Sequence, residues 1–208
     1  GYGWRIPSVI FGSIGVLVFY LLMKKTAKYR MVPLVATFLF SFENLTFVHS
    51  RIATLDIFTL TLMMLGFYWY FSGHHYLSAL GMTLSTLTKM TGAAGIVVIA
   101  LVHGIKIATN RSKPIAWDKL FSWFERYFAV YAASFLLLLT LLDRFFTIYP
   151  HAFAHLQFIL NYSTALTSSC PNGIISCPWQ WLINQVQIPY LIVSVTSGST
   201  KYDSIRFL

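Results

Sequence analysis

Residues 48–58 read VHSRIATLDIF, and this stretch joins two long apolar runs, Met31–Val48 and Ile52–Phe71. It puts a guanidinium, Arg51, and a carboxylate, Asp56, at the junction of the two runs. Ionisable groups at membrane depth cost roughly 2.5–3.5 kcal/mol each at the centre of a helix. Because a buried arginine usually has an anionic partner, the stretch predicts either an internal ion pair or a bound anion.

The composition of the whole chain predicts an integral membrane protein. The 208 residues are 57% hydrophobic and 10% charged, and their mean hydropathy is +0.66. A soluble domain of this length could not cover so much apolar surface. The formal charge of +9 suggests nucleic acid, but the basic residues fall in loops between apolar runs rather than on one polar face. We therefore interpret them as topology signals and expect no nucleic-acid partner.

The apolar runs predict an all-α polytopic protein with a bundle of about six transmembrane helices. The run Tyr76–Lys106 would form about 46 Å of helix, which is too long for one crossing, and Gly92 and Gly95 offer a place to divide it. Residues 1–142 are thus expected to form the membrane region and residues 143–208 a loop outside the membrane. The predicted spans are 6–23, 31–48, 52–71, 76–89, 92–105 and 127–142.

The distribution of Lys and Arg predicts which side each loop occupies. Four predicted spans separate the basic loop at 24–30 from the basic loop at 106–126, so both lie on one side. Together they hold nine of the fifteen Lys and Arg residues, which assigns them to the cytoplasm. By the same parity Arg5, Arg51 and Lys89 share the extracytoplasmic side with residues 143–208.

Within that outer loop, Tyr149–Ala165 is predicted to form an amphipathic helix on the membrane surface, and Gln187–Val195 an extended segment. Cys170 and Cys177 enclose six residues, and an extracytoplasmic position would permit a disulfide between them, although the sequence leaves open whether they are bonded. Trp179 and Trp181 suit either an interfacial anchor or a surface on which a sugar stacks.

The remaining polar residues near the junction each have two interpretations. Arg51 and Asp56 are five positions apart, about 140° around a helix, so they do not form a local pair on one face. Arg51 and Lys89 either extend to the lipid headgroups or bind a phosphate. Glu43 either bonds its neighbours or takes part in catalysis, and His49 is either an interfacial residue or a donor to an anion.

The sequence contains no motif for a nucleotide or a metal. There is no glycine-rich phosphate loop and no dinucleotide fingerprint. The histidines have no carboxylate or cysteine at metal-ligand spacing. We therefore predict no cofactor and no protein-built metal site, while dependence on an added metal is left open.

Four motifs in order resemble the protein O-mannosyltransferase family of polytopic glycosyltransferases, which has the GT-C fold. They are Gly3–Ser8 (GWRIPS), His49–Asp56 (HSRIATLD), Thr88–Gly92 (TKMTG) and the stretch 168–181 ending in Pro178-Trp179-Gln180-Trp181. The resemblance to bacterial and archaeal members extends over nearly the whole chain.

This resemblance implies transfer of mannose from a polyprenyl (dolichyl-type) phosphate to Ser or Thr hydroxyls of an acceptor protein at the extracytoplasmic face. By position, Arg51 and Lys89 correspond to the donor phosphate-binding residues, and Trp179 and Trp181 lie in the substrate loop. His49, Asp56 and Glu43 are supporting candidates. The acceptor, the exact sugar and dimerisation are left open.

The family's acidic pair would fall before Gly1, so the resemblance also implies an internal fragment that contains no catalytic base and is inactive alone. Two alternative functions remain. Within the same fold class, the chain could be a transferase whose donor carries another sugar or whose acceptor is a lipid. From a different class, the chain could be a transporter or a membrane scaffold, although it lacks the internal repeats that many transporters show.

Overall fold

The computed structural model describes residues 3–43, 46, 49–50, 54–109, 117–147, 149–167, 191–197 and 200–207. The chain divides into two compact units, Gly1–Ala152 and Phe153–Leu208. Six helices of the first unit are α1 (Ile6–Thr26), α2 (Val32–Ser41), α3 (Leu55–Phe71), α4 (His75–Thr88), α5 (Ala94–Thr109) and α6 (Trp117–Phe146). Short 3-10 segments, Gly3–Arg5 and Met90–Ala93, precede α1 and α5.

Helices α3 and α4 form an antiparallel hairpin at the centre of this unit. The turn between them contains Gly73 with a positive φ of 86°, a conformation that favours glycine. The two helices approach so closely at Gly66 and Gly81 that a Cβ on Gly81 would lie 2.9 Å from the Cα of Gly66. Small residues permit this contact, as is common where helices associate in membranes. Met82 is fully buried beside it.

The long apolar run after residue 75 is interrupted at Lys89. This residue has an extended backbone (φ −154°, ψ 133°), and the 3-10 segment follows immediately. Gly92 lies against the preceding helix, because a Cβ there would come within 2.6 Å of the backbone carbonyl carbon of Ser85. The break occurs in the region where the sequence suggested one.

Helix α6 packs on α4 through hydroxyl groups rather than through apolar contacts alone. The Ser78 hydroxyl lies 2.9 Å from the Tyr127 hydroxyl, and the Thr83 hydroxyl lies 2.7 Å from that of Ser134. Tyr131 donates a hydrogen bond of 3.1 Å to the Thr86 hydroxyl. Such bonds between transmembrane helices contribute about 0.6–2 kcal/mol each. They fix the rotation of α6 about its axis relative to the hairpin.

The buried core lies where α3, α4, α5 and α6 meet. Its apolar and aromatic members are Tyr70, Ala79, Met82, Ile96, Ile99, Tyr127 and Tyr131. Many large apolar side chains face outward instead, such as Leu17 and Leu137, which are 57% and 62% exposed. An apolar exterior around a partly polar interior is what a lipid environment favours.

Within the part of the chain that the structure describes, three segments are long and apolar enough to cross a membrane: Ile6–Thr26, Met90–Thr109 and Leu120–Phe146. Helices α2 and α3 are apolar but shorter. The prediction of a helical membrane protein is therefore confirmed.

Two helix boundaries differ clearly from the predicted spans. Helix α6 begins at Trp117, ten residues before the start of the span predicted over 127–142. A span was expected over Met31–Val48, but the helix in this region, α2, ends at Ser41. The N–H groups of Phe42 and Glu43 bond to carbonyls three residues earlier, which tightens and terminates the helix. The structure thus adds a break between α2 and α3 that the apolar run of the sequence did not reveal.

The second unit combines a helix with a β-hairpin. Its helix is α7 (Ala152–Thr167), and its strands are β1 (Leu191–Ser197) and β2 (Thr200–Phe207). The strands are antiparallel, with Ser197 opposite Thr200 and an irregularity between Ile192 and Ser194. The helix overlaps the amphipathic segment expected at Tyr149–Ala165. The first strand overlaps the extended segment expected at Gln187–Val195, of which residues 187–190 lie outside the described residues.

Candidate functional site

The α3–α4 hairpin brings together two of the charged residues singled out in the sequence, Asp56 and Lys89. Asp56 lies in the first turn of α3, and Lys89 follows the last residue of α4. Because the helices are antiparallel, the start of one and the end of the other meet at the same end of the hairpin. Residues 33 positions apart in the sequence thus become neighbours.

Lys89 and Asp56 form an ion pair with 2.5 Å between Nζ and Oδ1. Each charge also lies at the helix end whose dipole favours it, the carboxylate at an N-terminus and the ammonium at a C-terminus. Their side chains are 43% and 39% exposed. A pair this accessible contributes about 0–1 kcal/mol, so a competing anion can separate it at low cost.

A cavity of about 300 Å³ opens beside this ion pair. Its lining includes Asp56 from α3 and Thr91 from the 3-10 segment after Lys89. His49 and Thr46 line it from the segment that precedes α3. A volume of this size accommodates a small polar group such as a phosphate or one sugar ring.

Among its described residues, the segment before α3 has a hydrogen bond within itself and a close contact with α1. The carboxylate of Glu43 accepts a hydrogen bond of 2.6 Å from the backbone N–H of Thr46, three residues later, as in a helix N-cap. Ser50 lies directly against α1, because a Cβ on Gly12 would come within 2.6 Å of the Cβ of Ser50. Glycine at position 12 therefore lets the segment with His49 approach α1.

The structure thus gathers Lys89, Asp56 and His49 at one site and gives Glu43 a structural bond nearby. The ion pair between Asp56 and Lys89 was missed in the sequence analysis, which tested Asp56 only against Arg51. Predicted antiparallel spans of similar length would have indicated that the two residues share a membrane face. Thr46 and Thr91 were also missed, since a threonine near a helix end carries no distinctive signal.

Five of the predicted site residues lie outside the described residues: Arg51, Trp179, Trp181, Cys170 and Cys177. Their roles and the disulfide stay predictions. Among the residues that the structure describes, no group of three His, Cys, Asp or Glu side chains is arranged to hold a metal ion. The absence of a protein-built metal site stays a prediction, and dependence on an added metal stays open.

Comparison with known proteins gives one match. The family model described as dolichyl-phosphate-mannose-protein mannosyltransferase matches residues 1–160 of the 208. No curated protein and no solved structure matches significantly. The matched region contains the whole helical unit and its cavity, and the resemblance seen in the sequence motifs is confirmed at the level of the family. The chain belongs to the dolichyl-phosphate-mannose-protein mannosyltransferase family, whose members are membrane glycosyltransferases.

Proposed function

We propose that this chain takes part in the transfer of mannose from a polyprenyl phosphate to Ser or Thr hydroxyls of proteins, at the extracytoplasmic face of a membrane. The observation that carries the proposal is the accessible Lys89–Asp56 ion pair beside a cavity of about 300 Å³. The family match supports the class of reaction. The identity of the donor, the identity of the acceptor and the side of the membrane on which transfer occurs are our proposal.

In this proposal Lys89 binds the phosphate of the donor. A phosphate about 4 Å from the ammonium group would gain on the order of 4 kcal/mol at an effective dielectric constant near 20. Water screens the exposed ion pair with Asp56, which is therefore worth about 0–1 kcal/mol, whereas a donor that fills the cavity excludes water around its phosphate. A donor entering the cavity would therefore draw Lys89 away from Asp56, and the carboxylate would keep the lysine in place while the site is empty.

The reaction we propose is direct displacement at the anomeric carbon of mannose. The acceptor oxygen forms a bond to that carbon on one face as the bond to the phosphate oxygen breaks on the other, so the configuration inverts. The acceptor proton goes to a base, and the lipid phosphate departs as an anion. Lys89 and Arg51 would stabilise the negative charge that grows on the phosphate. Because this charge is larger in the transition state than in the substrate, its stabilisation lowers the barrier.

The base is not assigned to the carboxylates beside the cavity. Asp56 is paired with Lys89, and Glu43 accepts the N–H of Thr46. We expect an acidic residue outside the described part of the chain to accept the proton. An Asp56→Asn variant should accordingly retain transfer, with the rate reduced by less than tenfold.

The test is transfer of radiolabelled mannose from a polyprenyl phosphate to a Ser/Thr peptide by the purified complete protein, which includes the expected acidic residue, in lipid nanodiscs. Lys89→Gln should lower kcat/KM for the donor by about 10–100-fold, which corresponds to the roughly 1.5–3 kcal/mol of a hydrogen bond to a charged group. Lys28→Gln, at an exposed lysine of the α1–α2 loop, is the matched control and should leave kcat/KM unchanged.

Two results would contradict the proposal. Equal kcat/KM in the wild-type and Lys89→Gln proteins, at equal abundance, would remove the lysine from the donor site. Absence of mannose transfer by a complete wild-type protein, together with transfer of another sugar, would refute the donor assignment.

A further inference from the structure

A second cavity, of about 330 Å³, lies at the opposite end of the α3–α4 hairpin. The turn of the hairpin and the first residues of α4 form one wall, and α6 forms the other. Its polar and aromatic lining residues are His74, His75, Tyr76, Trp123, Arg126 and Tyr127. The proposed mannose transfer uses none of these residues.

Two buried nitrogens in the lining lack hydrogen-bond partners among the described residues. They are Nδ1 of His75 and Nε1 of Trp123. The indole N–H is a donor only, and an imidazole Nδ1 donates in one tautomer. A buried polar group without a partner costs about 1–3 kcal/mol, so an acceptor from outside the chain would stabilise this end of the hairpin.

The charges around the cavity are positive. Arg126 forms no ion pair with any residue that the structure describes, and no carboxylate is among the described residues of the lining. His75 does not add to this charge, because burial lowers its pKa and the nearby charges of Lys106 and His74 lower it further. Helix α4 begins at His75 without a side-chain cap, so its first N–H groups and its dipole also favour an anion.

The aromatic wall is rigidly supported. The ring of His103 stacks on Trp123 with 3.6 Å between centroids and 10° between planes. Nδ1 of His103 is in turn hydrogen-bonded to the hydroxyl of Tyr70 at 2.8 Å. The indole is therefore held in place before any ligand arrives, which reduces the entropy lost on binding.

The surroundings of the cavity are apolar and open. Tyr76 and Leu77, both part of the lining, are 66% and 43% exposed. Phe124 and Phe128 lie one residue beyond Trp123 and Tyr127 on α6 and are also exposed. A cavity that is lined by a positively charged side chain and bordered by exposed apolar side chains matches a ligand that has an anionic head and hydrocarbon chains.

We propose that this cavity binds the phosphate group of an anionic phospholipid. Arg126 pairs with the phosphate oxygens through its planar fork. The N–H groups of Trp123 and of the first turn of α4 supply further donors, and the acyl chains lie along the exposed aromatic and aliphatic side chains. The distribution of Lys and Arg predicts that this end of the hairpin faces the cytoplasm, where anionic lipids are abundant.

The experiment is native mass spectrometry of the delipidated protein in detergent, titrated with phosphatidylglycerol or with phosphatidylcholine. The wild-type protein should bind phosphatidylglycerol more tightly than phosphatidylcholine. Arg126→Gln should weaken its binding by about tenfold, the loss expected for one charge-assisted contact. Arg144→Gln is the matched control, because this exposed arginine lies on the same helix, 18 residues or about 27 Å away.

Folding is monitored by the midpoint of thermal unfolding without lipid, which should be the same in both variants. Equal affinity of the wild-type protein for the two lipids would overturn the proposal. So would an equal loss of phosphatidylglycerol affinity in the Arg126→Gln and Arg144→Gln variants. A third arm adds inorganic phosphate at millimolar concentration. Complete displacement of phosphatidylglycerol by inorganic phosphate would assign the site to soluble phosphates and refute the lipid assignment.

Discussion

At the scale of single residues, the chemistry depends on how weakly Lys89 is held. Its ion pair with Asp56 is short, but both side chains are about 40% exposed. Solvent screening makes such a pair worth little, whereas a bound phosphate would interact with the same ammonium group more strongly. In the proposed mechanism Asp56 is a resting partner that positions the lysine and gives way when a donor binds.

Arg51 is the residue whose substitution tests the phosphate interpretation most directly. Arg51→Ala should lower donor turnover by at least tenfold while protein abundance in the membrane stays unchanged. Arg51→Lys should restore only part of the activity, because a point charge cannot reproduce the two parallel hydrogen bonds of a guanidinium. The measurement is mannose transfer normalised to protein level. Full activity of Arg51→Ala would mean that Arg51 only extends to the lipid headgroups.

At the scale of secondary-structure elements, the position of the site depends on the contact between α3 and α4. Gly66 and Gly81 let the two backbones approach, and the Ser85 hydroxyl donates a hydrogen bond of 2.9 Å to the carbonyl of Thr59. These contacts set how far each helix extends relative to the other. The first turn of α3 therefore lies level with the last turn of α4, where Lys89 follows.

Gly81→Ala should destabilise the hairpin. The new methyl group would lie 2.9 Å from Cα and 3.1 Å from N of Gly66, and backbone atoms cannot move aside without separating the helices. Overpacking of this kind costs typically about 1–3 kcal/mol. The midpoint of thermal unfolding in detergent should fall accordingly.

Gly104→Ala is the control for this prediction. Gly104 also lies within a helix, α5, but a Cβ there meets no atom within 4 Å. Its substitution should be neutral or slightly stabilising, because alanine favours helix over glycine. Equal unfolding midpoints for Gly81→Ala and the wild-type protein would show that the helices do not pack at Gly81.

At the scale of the whole molecule, the two cavities lie at opposite ends of the same hairpin. One is lined by Asp56, whose carboxylate is paired with Lys89, and the other is lined by Arg126 and by two buried nitrogens that have no partner among the described residues. If the hairpin crosses the membrane, the two cavities face different leaflets. The proposed donor and the proposed phospholipid would then occupy separate sites.

The orientation is tested by thiol labelling in intact cells. Single cysteines at positions 28, 111 and 169 are introduced into a protein whose Cys170 and Cys177 are replaced by serine. An impermeant reagent should label position 169 and leave 28 and 111 unmodified, because the basic loops are retained in the cytoplasm. Labelling of position 28 or 111 from outside would refute the assignment of the basic loops to the cytoplasm. Lys89 would then lie on the cytoplasmic side.

The sequence by itself determined the membrane class, the division of the chain near Gly92 and the family. These follow from features that lie close together along the chain: apolar runs, glycine positions and short motifs. It also identified Lys89 and Asp56 as separate candidates. Each was noticed because an ionisable group inside an apolar segment is costly.

Only the tertiary structure decided that Lys89 and Asp56 pair with each other and that His49 and three threonines line the same cavity as Asp56. Contacts between helices depend on how far each helix extends and how it is rotated, and close packing at Gly66 and Gly81 sets both. The early end of α2 was hidden for a related reason, since a 3-10 turn inside an apolar run leaves the hydropathy unchanged. Apolar pattern specifies which segments are buried, whereas packing specifies which side chains meet.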